Sequence, residues 1–174
     1  MTVAVVRLLG PADSGAYVEL LDRLDRESTM LMWEPGERAI SASEIVEAMS
    51  LDDRAGRLRL VAVVDNDLVG FLVAHRGALC RISHRCDFTM AVLSDFRGRG
   101  IGSQLLDSLE RWARATGLER IELTVMAHNH RAIRLYERAG FVTEGLKRAA
   151  IVVDGVAVDE VMMGKALHRE QPPS

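Results

Sequence analysis

The stretch Met90-Ala91-Val92-Leu93-Ser94-Asp95-Phe96-Arg97-Gly98-Arg99-Gly100-Ile101-Gly102-Ser103-Gln104-Leu105-Leu106 decides the fold. An apolar run ends at Asp95, three glycines alternate with other residues, and a helix-forming segment follows without a gap. The pattern reads as a strand, a backbone-rich turn and a helix start. Gly98, Gly100 and Gly102 remove side chains that would otherwise shield the amide N–H groups of the turn. The helix beginning there adds unpaired donors and the positive end of its dipole, so the turn is suited to a phosphate.

Downstream, Ile101, Leu105, Leu109 and Trp112 recur at spacings of four, four and three, one apolar stripe of a helix running to about Ala115 and closed by Gly117. Glu119 to Met126 reads as a strand, which makes a right-handed βαβ unit with the glycine turn at its first crossing. Asn129 or His130 begins a further helix to Ala139, terminated by Gly140. Phe141 to Ile151 and Val156 to Leu167 form a last hairpin across Asp154-Gly155.

Upstream, Leu58 to Val64 and Leu68 to Arg76 flank Asp65-Asn66-Asp67 as a hairpin, and a third strand from about Ile82 to Leu93 leads into the glycine turn. Thr2 to Leu9 is a short strand stopped by Gly10-Pro11, after which Asp13 or Ser14 caps a helix carrying Tyr17, Leu20, Leu21 and Leu24. A loop from Ser28 to Arg38 holds Met30, Leu31, Met32 and Trp33 before the breaker Glu34-Pro35-Gly36. Ser41 or Ser43 starts a second helix, which ends near Asp52-Asp53.

The chain of 174 residues is of single-domain size, with a formal charge of -3 and a pI near 6.0, a balance that argues against nucleic acid as the main partner. Cys80 and Cys86 lie in what reads as a strand pair, without metal-ligand spacing, and are expected to be reduced thiols. No signal-like N-terminus and no run of ~18 apolar residues is present, so a soluble, cytoplasmic protein with no membrane partner is expected. Gln171 to Ser174 read as a disordered tail.

Two common phosphate motifs fail. A Walker P-loop needs Gly-Lys-Ser/Thr, whereas Ser103 and Gln104 follow Gly102. A dinucleotide fingerprint needs G-x-G-x-x-G, and Ser103 stands where the last glycine belongs. What remains is R-x-x-G-x-G over Arg97 to Gly102, with Arg97, Arg99 and the Ser103 hydroxyl available to phosphate oxygens. The plain alternative is a glycine turn that tightens a βα junction.

About 27 residues further on stands Asn129-His130-Arg131-Ala132-Ile133-Arg134-Leu135-Tyr136-Glu137-Arg138-Ala139-Gly140-Phe141. RGRGIG followed by N-x-x-A-x-x-L-Y-x-x-x-G-F resembles the GCN5-related N-acetyltransferases, or GNAT superfamily, which bind acetyl-coenzyme A. The resemblance covers roughly Arg57 to Leu167, including His84-Arg85-Cys86-Asp87-Phe88 and Glu144-Gly145, and looks most like the spermidine and ribosomal-protein acetyltransferase branch. It implies an α/β fold, a mixed twisted sheet of about seven strands flanked by four helices, in one acetyltransferase domain over residues 1–170. The first 56 residues match only in layout.

The resemblance further implies that Arg97, Gly98, Arg99, Gly100, Ile101, Gly102 and Ser103 wrap the pyrophosphate of the coenzyme. Met90, Ala91 and Val92, on a bulged strand splayed from the next parallel one, would pair with the pantetheine arm. Asn129 matches the asparagine that holds the pantetheine; as a plain helix N-cap it would serve equally. Tyr136 matches a tyrosine beside the thioester sulfur, where a phenol can protonate the thiolate leaving a tetrahedral intermediate. Its bland reading is a core aromatic.

For the base that deprotonates the amine, Asp87 matches an acidic position common in the branch, with Glu34, His84 and His128 as further candidates and ordered water as another route. Trp33 and Glu34, in the loop expected over the acceptor pocket, are the substrate-binding candidates. Residues 1–56 carry a net charge of -6 against +3 for the remainder, a tilt toward cationic acceptors such as polyamines, aminoglycosides or basic peptides. The expected activity is direct transfer of acetyl to a primary amine in a ternary complex, without metal. A non-catalytic coenzyme A binder and a protein N-terminal or lysine acetyltransferase are the alternatives. The final hairpin and the Met30 to Trp33 loop are the expected contact surfaces of a homodimer.

Overall fold

A computed structural model describes residues 4–167, so the expected tail at 171–174 and the first residues of the expected N-terminal strand lie outside the described residues. In chain order the elements are β1 (Val5–Leu8), α1 (Ser14–Glu27), α2 (Ala42–Ser50), α3 (Asp52–Ala55), β2 (Arg57–Val64), β3 (Asp67–Arg76), β4 (Arg85–Val92), α4 (Ile101–Ala115), β5 (Arg120–Met126), α5 (His130–Arg138), β6 (Val142–Val153) and β7 (Val156–Ala166). The seven strands form one sheet in the order β1-β2-β3-β4-β5-β7-β6. All neighbours are antiparallel except β4 and β5.

The local rules that build these elements are visible in their ends. Ser41 accepts the Glu44 amide and Glu44 reaches back to the Ser41 amide, a reciprocal cap that starts α2. The β2–β3 and β6–β7 hairpins turn on Asp65-Asn66 and Asp154-Gly155, all at positive φ, which matches the twist of the strands they join. The third strand begins at Arg85 rather than Ile82, because residues Cys80–Ile82 wind into a 3-10 turn. Cys80 is therefore exposed on a turn while Cys86 is buried on β4, and both are free thiols.

On α4, Ile101, Leu105 and Leu109 are essentially inaccessible, as their spacing requires, and each full burial is worth about 1.5–3 kcal/mol. Leu106 and Ala113 share that buried face, and Trp112 is only partly buried at its rim. Even-numbered side chains of β4 face α4 and α5: Phe88 meets Tyr136 edge-on with ring centroids 5.8 Å apart. Odd-numbered ones face the side covered by α1, since Ala91 stands opposite Phe71, whose ring meets Tyr17 at 6.0 Å.

β4 and β5 pair at three positions only, Arg85↔Arg120, Cys86↔Ile121 and Asp87↔Glu122. Beyond Asp87 they part, β4 staying on β3 as far as Val92↔Gly70 and β5 on β7 as far as Met126↔Glu160. The expected bulge is absent here: the β3–β4 register runs without a shift, and divergence of the two strands alone opens the gap.

Candidate active site

A cleft of about 1030 Å³, at the upper end for small-molecule sites, passes through this gap and is lined from both faces of the sheet. On the helix side stand Phe88, Met90, Tyr136, Asn129 and the turn at the start of α4; on the other stand His75, Asp87, Glu122 and Glu144. The inner edges of β4 after Asp87 and β5 after Glu122 have no ladder partner, so an extended ligand can complete the sheet between them.

The three glycines divide their work. Gly98 and Gly100 have φ of 81° and 80°, a conformation that disfavours a Cβ, and a Cβ on Gly100 would meet nothing within 4 Å. The amide side of the turn is thus open to a ligand, and Gly100 caps α4 without a side chain. Gly102 serves packing instead: its Cβ would stand 2.8 Å from Leu135 Cδ2, so its absence lets α5 lie against α4. Arg97, Gly98, Gly100, Ile101, Gly102 and Ser103 line the cleft. Arg97 Nε donates to the Val92 carbonyl at 2.9 Å, which fixes the guanidinium beside the turn. Arg99 is not among the lining residues; its guanidinium stacks on Phe96 and donates to the Asp95 carbonyl, so it stiffens the turn from outside. Arg131, which the motif leaves as an unspecified position, places a nitrogen 3.6 Å from where a Gly98 Cβ would be and adds a cation beside the turn. The open turn, these cations and the unpaired strand edges fit the pyrophosphate and pantetheine of a coenzyme A thioester.

Asn129 takes the capping role and is placed at the cleft. Its Oδ1 accepts the Ala132 amide at 3.2 Å as the cap of α5, and the residue also lines the cleft. Met90, Ala91 and Val92 line the cleft along the free edge of β4. The Tyr136 ring is wedged against Phe88 and Phe141, and burial pushes its hydroxyl pKa up to about 12, so the phenol keeps its proton at neutral pH. Burial likewise pushes the Cys86 thiol up to about 12, which leaves it a protonated core group rather than a nucleophile.

Asp87 lines the cleft at the last paired position before the gap. Beside it run ion pairs that sequence reasoning does not reach: Arg85 with Glu122, Arg120 with Glu122 at 3.0 Å, and Arg120 with Glu144. The hydrogen bond from Arg120 holds the Glu144 carboxyl below the usual carboxylate range. His75, also absent from the sequence candidates, enters the cleft from β3. His84 and His128 are not among the lining residues, nor are Trp33 and Glu34. Trp33 lies under the Arg38 guanidinium at 5.3 Å, and Arg38 is in turn held by buried Asp25 at 2.8 Å. The Glu34 amide is taken by the Glu37 carboxylate at 3.0 Å. Their neighbours Met30, Leu31 and Met32 provide the roof.

The acidity of the first third does not reach the cleft. Asp13 pairs with Arg7, Asp22 with Arg26, Asp25 with Arg38 and Asp52 with Arg59, while Glu27 accepts the Ser94 amide. Among the described residues none of its acids lines the cleft. Also among the described residues, no group of three or more His, Cys, Asp or Glu side chains is placed to hold a metal, and no helix is long and apolar enough to cross a membrane.

A family model described as the acetyltransferase (GNAT) family matches residues 19–141, a span that takes in much of the first third as well as the motifs. The chain is 35% identical over 119 residues to the L-amino acid N-acetyltransferase AaaT of Escherichia coli, an alignment covering 66% of this chain and 72% of that protein. Its fold superposes on a GNAT-family acetyltransferase of Streptococcus pneumoniae with a TM-score of 0.89 at 24% identity, covering 95% of this chain and 100% of the other. It superposes also on YncA of Salmonella typhimurium, solved with its cofactor acetyl-CoA, with a TM-score of 0.85 at 19% identity and 98% of both chains covered.

Proposed function

The chain belongs to the acetyltransferase (GNAT) family, and on that premise we propose that it moves the acetyl group of acetyl-coenzyme A directly onto the amine of a small acceptor that also bears a carboxylate and an apolar side chain, an L-amino acid being the type case. The observation that carries the reading is the cleft through the sheet, with the phenol of Tyr136 on one face and the carboxylate of Asp87 on the other. The coenzyme supplies a thioester whose sulfur is the leaving group. The turn from Arg97 to Ser103 and Arg131 bind its pyrophosphate, and the free edge of β4 orients its arm. Tyr136 donates a hydrogen bond to the departing sulfur. Asp87 receives the ammonium of the acceptor and takes up its proton, from which water in the open cleft carries it away.

The acceptor class follows from the lining. Met30, Leu31, Met32, Ile151 and Met162 offer an adaptable apolar wall, and the charged floor carries both signs, Arg85, Arg120 and Lys147 against Asp87, Glu122, Glu144 and Glu160. Lys147 stands 3.8 Å from Glu160, the loosest of these pairs, and is the cation we assign to an acceptor carboxylate. The name of the relative from Escherichia coli supports the same class. We further read the enzyme as a single-domain cytoplasmic protein, in keeping with its free cysteines, and as a homodimer through β6 and β7, where Val142, Leu146, Val152 and Val156 are exposed.

The test is thiol release from acetyl-coenzyme A against a panel of L-amino acids, polyamines, aminoglycosides and a peptide amine, with products identified by mass. Acetylation of apolar L-amino acids above all others is the expected result. Preference for a polyamine or a peptide overturns the acceptor class, and no release above background with any amine overturns transfer itself.

A further inference from the structure

Four adjacent strands bring Arg57, His75, Asp87 and Glu122 into one row on the acceptor face: Arg57 stands opposite His75, His75 opposite Asp87, and Asp87 opposite Glu122. Directly opposed side chains on neighbouring strands have Cβ atoms about 4.5–5.5 Å apart, within reach of one another's polar ends. The row continues to Gly164, opposite Glu122, where a Cβ would stand 2.6 Å from Glu144 Oε1; its absence gives the Arg120–Glu144 pair room to fold across β7. This row crosses the sheet at the last position before β4 and β5 part, where the proposed function brings an acceptor nitrogen to the thioester.

Within the row, Arg57 Nε donates to His75 Nδ1 at 3.0 Å. A guanidinium is always protonated and never accepts, so this bond requires a bare Nδ1 and puts the single ring hydrogen of the neutral imidazole on Nε2. His75 locked in this form has no lone pair to offer an ammonium and cannot be the base. With Arg57 held on the β2 side of the ring, Nε2–H is left for the β4 side, where Asp87 stands. Partial desolvation first, and then the charges of Arg57 and Arg59, lower the imidazole pKa against the opposing charges of Asp87 and Asp52, which favours the neutral ring at physiological pH.

We propose that His75 is a positioning residue for Asp87: fixed by Arg57 as the Nε2–H tautomer, it donates to the Asp87 carboxylate, directly or through one water, and aims the other carboxylate oxygen at the acceptor amine. The inference rests on Asp87 as the group that receives the amine. The proton passes from the ammonium to the Asp87 carboxylate and on to water; His75 neither gains nor loses one.

A double-mutant cycle tests this. His75→Phe is expected to lower kcat about tenfold, the loss of one hydrogen bond to a charged group, with the KM for acetyl-coenzyme A unchanged. His75→Gln, which keeps an N–H donor, recovers most of that loss. In an Asp87→Asn background His75→Phe has no further effect, because its route of action is gone. Nitrogen NMR of the wild-type ring at neutral pH shows hydrogen on Nε2. A near-normal Asp87→Asn enzyme overturns the role of Asp87 and this inference with it. An impaired Asp87→Asn with the His75→Phe loss undiminished overturns the inference alone, as does a Gln variant no better than Phe or a ring carrying its hydrogen on Nδ1.

Discussion

Replacing Tyr136 by Phe deletes one hydroxyl and keeps a ring whose packing on Phe88 and Phe141, at centroid distances of 5.8 and 5.9 Å, does not involve that hydroxyl. The melting temperature is therefore expected to move little, by the equivalent of about 1 kcal/mol at most. The effect on turnover follows from proton affinities. Burial raises the phenol to about 12, whereas an ordinary thiol titrates near 8.5, so complete transfer from the phenol to a departing thiolate runs uphill by about 5 kcal/mol. On the proposed mechanism Tyr136 thus acts by hydrogen bonding to the sulfur as the C–S bond breaks, and the net proton comes from the acceptor nitrogen. General acids contribute about 10²–10⁴ in rate, and this mismatch places the loss near the lower bound, about a hundredfold in kcat. Initial rates of thiol release at saturating donor and acceptor measure it, with calorimetric binding of coenzyme A alongside. A kcat within about threefold of wild type refutes the reasoning, because a single lost hydrogen bond to a charged group is worth more than that. So does a loss of rate matched by an equal loss of coenzyme affinity, since that would make Tyr136 a binding residue.

Two further outcomes are expected. Gly100→Ala adds a Cβ with no steric neighbour at φ of 80°, so its cost is conformational alone, about 1–2 kcal/mol in thermal melts, and calorimetry will show weaker coenzyme A binding because the methyl group stands on the open side of the turn. Burial pushes the Glu110 carboxyl up, but hydrogen bonds from Lys165 and Arg114 outweigh it and hold the pKa below its ordinary value. Its stabilisation is therefore full above about pH 4.3 and lost as pH falls below that, so wild type will lose more melting temperature than Glu110→Gln between about pH 6 and pH 3.5; parallel curves would remove the clamp from the account.

The elements legible in the sequence are those specified within a few residues. The Ile101–Ala115 helix has its stripe, its glycine start and its glycine stop within one window, and the hairpins turn on Asp65-Asn66 and Asp154-Gly155, where local chemistry demands positive φ. The glycine turn before α4 and the position of Tyr136 on α5 are legible for the same reason, as each sits in a short run with fixed spacing. The charged row was not, because Arg57, His75, Asp87 and Glu122 come from four strands and meet only through pairing registers that no local pattern encodes. The loop from Ser28 to Arg38 shows the same limit: Met30, Leu31 and Met32 line the cleft, while Trp33 packs under Arg38, which is anchored by Asp25, and no local pattern tells these neighbours apart. Charge summed over the first third says little about the cleft for a related reason, since most of those acids pair with arginines or accept backbone amides and none lines it among the described residues.

The parting of β4 and β5 has a consequence for the free protein as well as for its chemistry. Without its thioester the chain carries two unpaired strand edges in the middle of its sheet, the kind of template that invites an extended segment of another molecule. On the proposed binding mode the coenzyme arm completes the sheet and so blocks that template. Aggregation on storage should therefore begin at the cleft and slow as the coenzyme is added, which makes the donor a protective agent for its own enzyme.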